Sequence, residues 1–338
     1  MLQLKIMTRP RIPAEIVIEI TGQCHLACRY CTKPGARAGH VPLSAITKTL
    51  DDAAAMKAGT IRFTGGEPLL HPDLRAMLAH ARRLKFYIIV NTSAEEITPA
   101  QLRTLKGSID CALISLQGFD QRSNKAYTGS GTPFAQKLKN IFALKALLPA
   151  LRLGTVITPT MSSTFPRFAA LVTRIAPVSW GLFRPISTDP DIAMMGQSFY
   201  NTMILDIIRF RQKTGLNTHI SNAIPLCVSG NIKAGKECLP GAASDDGHLR
   251  IVRDVRGFFK PSYFIDTPLG EDLRKAWKHP LLRKLDATDH LPAICRQCPC
   301  LSPCFGGSRA MAMIHGGSYR AADPLFNKIT AAQALSCL

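Results

Sequence analysis

Cys24, Cys28 and Cys31 stand as CxxxCxxC within ITGQCHLACRYCTKPG, directly after the apolar run AEIVIEI, and FTGGEP follows at 63–68. Three thiolates can hold three irons of a cubic 4Fe-4S cluster, and because such clusters ordinarily take four cysteines, the triplet leaves one iron open to another ligand. A zinc site short of its fourth ligand, or three buried thiols, would use the same residues. The sequence around them narrows the choice. Gly65 and Gly66 allow a sharp turn and close backbone approach, Glu67 offers an acceptor for an ammonium group, Pro68 stiffens the exit, and the aromatic Tyr30 precedes the third thiol. A second group, CRQCPCLSPCFGGSRA, sets Cys295 and Cys298 two residues apart and Cys304 five beyond, with Cys300 between.

Positioning these residues requires a scaffold. Strand-like and helix-like stretches alternate from about residue 14 to 186, as expected for parallel strands joined by crossover helices. Six strands are predicted, at 14–21, 60–65, 86–92, 111–118, 151–159 and 178–187. Between them Leu74, Met77, Leu78, Ala81 and Leu84 recur at helical spacing, and Thr98, Pro99 and Gln101 read as a capping box opening a helix that ends before Gly107. On the fourth strand Ser115 and Gln117 face one side while Ile114 and Leu116 face the other. Polar residues at the C-terminal ends of parallel strands are where barrel enzymes place their sites; Glu19, Thr21, Thr64, Asn91, Thr158 and Arg184 reach that rim. Residues 188–196 read as a linker, followed by an amphipathic helix near 198–213, and from Cys227 onward the alternation stops.

At this point the chain resembles the radical S-adenosylmethionine (SAM) enzymes, through CHLACRYC at 24–31, FTGGEP at 63–68 and the six-stranded alternation, over roughly residues 12–186. The resemblance implies an α/β fold with a partial (β/α)6 TIM barrel over 1–186, a linker and helix over 187–226, and a smaller Cys-rich domain over 227–338. It implies that Cys24, Cys28 and Cys31 ligate a 4Fe-4S cluster whose open iron chelates SAM. Gly65, Gly66 and Glu67, with Pro68 behind them, would hold the SAM amino group, and Tyr30 would meet its adenine through backbone. Asn91, Ser115, Gln117 and Arg184 would supply ribose and carboxylate contacts. Reductive cleavage of SAM to a 5'-deoxyadenosyl radical, with electrons from a flavodoxin- or ferredoxin-type protein, is the implied chemistry.

The tail resembles the auxiliary-cluster extension called SPASM, in part. Cys238 corresponds to its first cysteine, and Cys295, Cys298 and Cys304 to one cluster site. Ser262 and Ser308 stand where thiols of the other site are expected, so that second site is read as lost. The fourth ligand of the surviving auxiliary iron-sulfur cluster is open among Cys300, Cys337 and the substrate; a zinc knuckle would also suit this spacing. Cys111 reads as a small core residue and Cys227 as either core or ligand.

Composition sets the outer limits. Apolar residues make up 46% and charged residues 19% of 338, as in a globular protein with room for two domains. Lys and Arg number 42 against 23 Asp and Glu, a formal charge of +19 that favours acidic partners. The charge is scattered, without the aromatic interleaving of a nucleic-acid platform, and no run of about 18 apolar residues exists to span a membrane. Eleven cysteines without a visible export signal point to metal chemistry in the cytoplasm more than to disulfides. The implied substrate is a ribosomally made peptide undergoing crosslinking, epimerisation or oxidation. An anionic small molecule such as a sugar, alcohol or tetrapyrrole is the competing enzyme substrate, and a non-catalytic zinc and nucleic-acid protein the competing class.

Overall fold

The computed structural model describes residues 9–32, 39–187, 189–193, 195–239, 247–288 and 290–327. Nine strands form one sheet: β1 (Glu15–Thr21), β2 (Thr60–Gly65), β3 (Tyr87–Thr92), β4 (Cys111–Ser115), β5 (Ala150–Val156), β6 (Ser179–Phe183), β7 (Thr218–Ile220), β8 (Arg250–Arg253) and β9 (Phe259–Lys260). Their order is β7-β6-β5-β4-β3-β2-β1-β8-β9. Every neighbouring pair is parallel except the short β8–β9 ladder. The first six strands and their intervening helices make the α/β partial barrel that the alternation predicts.

A strand covered on both faces must be apolar along its length rather than alternating, and β1 meets that demand with Ile16, Val17, Ile18 and Ile20 all fully buried. Ile61, Phe63, Ile88, Val90, Ile114 and Leu153 continue the same core across β2 to β5. The helix Leu74–Arg83 buries Leu74, Met77, Leu78 and Ala81, the stripe its spacing predicts. The helix Pro99–Leu105 opens on the expected capping box, with Thr98 accepting from the Gln101 amide and Gln101 returning the bond. At the far edge, Trp180 stacks on Phe165 at 5.4 Å and meets Phe210 edge-on at 5.7 Å, closing the sheet beneath the helix Gln197–Thr214.

Three strands, β7, β8 and the two-residue β9, come from segments that the sequence does not mark as strands. β7 follows the helix Gln197–Thr214 and extends the sheet beyond β6. β8, from the Cys-rich half, pairs in parallel with β1 from Glu15↔Arg250 to Ile18↔Arg253. The tail is therefore built onto the barrel edge. It also clasps the start of the chain: Arg9 forms a two-pronged ion pair with Asp286 at 2.7 and 3.0 Å and lies 4.5 Å over the Trp277 ring.

Candidate active site

β1 ends at Thr21, and the backbone beyond it is held on two sides before it reaches the thiols. On one side Gly66 N donates to Thr21 O at 2.7 Å and Glu67 N to Gln23 O at 2.8 Å. A Cβ on Gly66 would lie 2.0 Å from the Gln23 carbonyl oxygen, and one on Gly65, at φ +137°, would lie 2.3 Å from Thr21 O. The two glycines thus admit this chain's own backbone, where the sequence suggested a ligand; their first task is to fix where the cysteine loop begins. On the other side Ala27 N and Arg29 N donate to Thr128 O and Tyr127 O, at the end of the helix Gln121–Thr128. Within the loop Cys31 N returns to Cys28 O at 3.0 Å.

The loop borders a cleft of about 530 Å³ lined by Cys24, Cys28, Tyr30, Cys31, Gly65, Gly66, Glu67, Asn91 and Ser115. Nine residues singled out by type and spacing are thereby brought to one place. Glu67 is buried, its carboxylate accepting from Leu69 N at 3.3 Å and from Ser93 N and Oγ at 2.8 and 2.7 Å. Three of its roughly four acceptor directions are thus used. Asn91 Oδ1 accepts from Arg62 at 3.1 Å. Pro68 opens the 3₁₀ turn Pro68–Leu70 behind the cleft.

Three expected contacts lie elsewhere. Gln117 sits beyond the end of β4, where strand alternation no longer governs direction, and it bridges to β5 through Gly154 O at 3.4 Å and Val156 N at 2.9 Å. Arg184 follows β6 and is buried against Asp323, with guanidinium-to-carboxylate distances of 2.7 and 2.9 Å; it fastens the tail to the barrel and does not line the cleft. Cys238 ends the helix Ile232–Cys238 inside the main core, with Arg211 and Glu237 as its charged neighbours.

Burial raises the Cys24 thiol and pushes Cys28 up to about 11, and burial together with the adjacent Cys28 lifts the Tyr30 phenol well above its usual range. A metal deprotonates the thiols it binds and so would counter this effect of burial. Both ring nitrogens of His25, between the first two thiols, are buried without a partner. Such groups are costly inside a protein unless something meets them. Three thiols and a carboxylate at one cleft form a donor set that fits an iron-sulfur cluster with a polar ligand. Among the described residues no three His, Cys, Asp or Glu side chains gather tightly enough to hold a single metal ion.

The cleft also holds residues that motif reading passed over. Lys137 is one, and a signal existed: it occupies a core position in the buried stripe Phe134, Lys137, Ile141, Leu144 of its helix. Val255 and Tyr263 reach the cleft from the tail, and no local pattern marks them.

In the tail, Cys300 is disulfide-bonded and so is not a free ligand here; Cys337 lies outside the described residues. Ser262 and Ser308, at the positions expected to have lost thiols, have become turn formers. Ser262 Oγ accepts from Phe264 N and Ile265 N, both at 3.2 Å. Ser308 caps the helix Arg309–Gly316, accepting from Met311 N at 3.2 Å. Ser308→Ala should therefore lower unfolding free energy by about 0.5–2 kcal/mol, the worth of an N-cap, in a denaturant titration.

Comparison with known proteins agrees with this geometry. Residues 18–163 match the model of the Radical SAM superfamily. The chain is 26% identical to a PqqA peptide cyclase of Ruegeria pomeroyi over 95% of its own length and 89% of the relative's. It is 25% identical to that of Gluconobacter oxydans, over 94% and 92%. Among solved structures it superposes on Streptococcus suis SuiB bound to S-adenosylmethionine with a TM-score of 0.75 at 17% identity, covering 93% of this chain and 77% of that one. It superposes on anSMEcpe with bound AdoMet and a peptide with a TM-score of 0.70 at 12% identity, covering 96% and 95%. Motif, cleft and family model coincide on the same residues: the stretch 18–163, which carries the thiol loop and the Gly65–Gly66–Glu67 segment, matches the radical SAM superfamily.

Proposed function

We propose that this radical SAM enzyme matures a ribosomally made peptide. The observation that carries the reading is that its PqqA peptide cyclase relatives align with 95% and 94% of the chain, so the likeness includes the tail as well as the barrel. The charge of +19 supports capture of an acidic peptide. No helix among the described residues is long and apolar enough to cross a membrane.

In this reading Cys24, Cys28 and Cys31 hold the 4Fe-4S cluster, and the Gly65–Gly66–Glu67 segment presents the SAM site beside it. When bound, cluster and SAM together supply a radical able to take hydrogen from an unactivated carbon, given one electron from a flavodoxin- or ferredoxin-type reductant. The chain's own contribution is position and dryness. Gly66 and Glu67 tie the thiol loop to β2, Ser93 fixes the Glu67 carboxylate, and Asn91 and Ser115 give the cleft wall polar groups. Tyr263 and Val255 bring the tail to the same cleft, so a substrate held by the tail would meet the barrel site directly.

The test is label transfer. Reconstituted enzyme, SAM and dithionite are incubated with deuterated pools of acidic peptides and, separately, of anionic metabolites. Deuterium in 5'-deoxyadenosine and a changed peptide mass are expected from the peptide pool. Label arising from the metabolite pool alone would replace this function with small-molecule oxidation or epimerisation.

A further inference from the structure

Cys227 and, much later in the tail, Cys295, Cys298 and Cys304 are free thiols. Cys304 ends the helix Leu301–Cys304, and its buried sulfur accepts the Leu226 amide at 3.3 Å. Leu226 opens the 3₁₀ turn Leu226–Val228, which carries Cys227. The chain leaving Cys304 presses on that same turn: Gly307, at φ +78°, lies so close that a Cβ would stand 2.9 Å from Pro225 Cδ. The Cys227 sulfur in turn accepts the Asn327 amide at 3.3 Å. The residue before it, Phe326, packs on the buried group of Leu291, Cys295 and Leu301. Cys298 N closes a turn onto Cys295 O at 3.1 Å.

We propose that these four thiols form a complete four-thiolate site for the auxiliary iron-sulfur cluster, with Cys227 as the fourth ligand. Four cysteines are the ordinary complement of such a cluster, and N–H···S bonds of the kind made by Leu226 and Asn327 tune its potential. Cys227 stands upstream of the other three, where spacing alone gives no cue. With all four corners taken, the site keeps no vacant iron, so substrate does not bind it directly. The proposal does not depend on the identity of the substrate.

The experiment begins with the Cys24→Ala/Cys28→Ala/Cys31→Ala variant, which removes the first site, reconstituted anaerobically with iron and sulfide. About four irons and four sulfides per chain are expected, with an electron paramagnetic resonance signal after dithionite. Adding Cys227→Ser should lower the iron content or change that signal, whereas adding Cys238→Ser should leave both as they were. Because a variant can fail through misfolding, the wild-type protein supplies a second readout. In the fully loaded form Cys227 should resist iodoacetamide, and it should become alkylated once iron is chelated, as mapped by mass spectrometry. Full iron and an unchanged signal in the Cys227→Ser background, uptake of zinc without sulfide, or alkylation of Cys227 in the loaded protein would each overturn the assignment.

Discussion

Cys28→Ala should abolish SAM cleavage while leaving the fold in place. Cys28 is the central thiol of the triplet, and the loop that carries it is pinned by backbone bonds from Ala27 and Arg29 to the helix Gln121–Thr128 and from Gly66 and Glu67 to Thr21 and Gln23. None of these bonds uses the Cys28 side chain. The side chain itself meets the buried Tyr30 hydroxyl, so truncating it should cost about 1–3 kcal/mol of stability, and a complete loss of cleavage in folded protein is chemical. With dithionite as reductant, 5'-deoxyadenosine should fall to the level of a no-enzyme control, and iron content should drop by the share of one cluster. Cys298→Ala separates the two halves: it should keep SAM cleavage and lose substrate turnover. Wild-type cleavage by the Cys28 variant would remove the thiol loop from the mechanism.

How much of this was legible in the sequence depended on the distance over which residues act. The six barrel strands announce themselves because a doubly covered strand needs a nearly continuous apolar run, and Ile16, Val17, Ile18 and Ile20, broken only by Glu19, supply one. The capping box at Thr98 and the stripe from Leu74 to Ala81 are local, and they stand as read. β7 has only three residues, too few for any period to show. β8 is defined by its pairing with β1, more than two hundred residues upstream, and nothing within its four residues says so.

The site divides along the same line. Cys24, Cys28, Cys31, Gly65, Gly66 and Glu67 are held by neighbours in short motifs, and the cleft contains them all. Arg184 fails because its partner Asp323 is 139 residues away and a buried guanidinium takes the best carboxylate on offer. Gln117 fails because β4 stops at Ser115, so the period of two was extended past the strand that enforces it. At Gly65 and Gly66 the atoms that exclude a side chain are the Thr21 and Gln23 carbonyl oxygens, so the close approach read from the sequence is made by this chain's own backbone.

Lys137→Met should be among the most damaging single changes, although Lys137 lies outside the cysteine motifs in sequence and meets them only across the cleft. Its ammonium and the Glu95 carboxylate are both fully buried, 2.7 Å apart. Asn124 Nδ2 donates to Glu95 at 2.9 Å while its oxygen accepts from Lys137 at 3.3 Å, and Ser130 Oγ donates to the other Glu95 oxygen at 2.8 Å. This network ties down Asn124 and Ser130, on either side of Tyr127 and Thr128, whose carbonyls hold the thiol loop through Arg29 and Ala27. Removing the cation leaves a buried carboxylate without its counter-charge, a change that costs about 3–5 kcal/mol. Thermal unfolding should drop by about 5–10 °C, and a chelator should strip iron from the N-terminal site faster than from wild type. Burial disfavours the ammonium form of Lys137, and the Glu95 charge works against that; an uncharged pair of similar shape should therefore serve nearly as well. Glu95→Gln/Lys137→Met keeps an acceptor oxygen for Asn124 Nδ2, lets Ser130 Oγ turn to accept from the new amide nitrogen, and leaves no unpaired charge, so it should recover most of the loss. Equal stability of the single variant and wild type, or a double variant no better than the single, would show that the pair does not brace the loop.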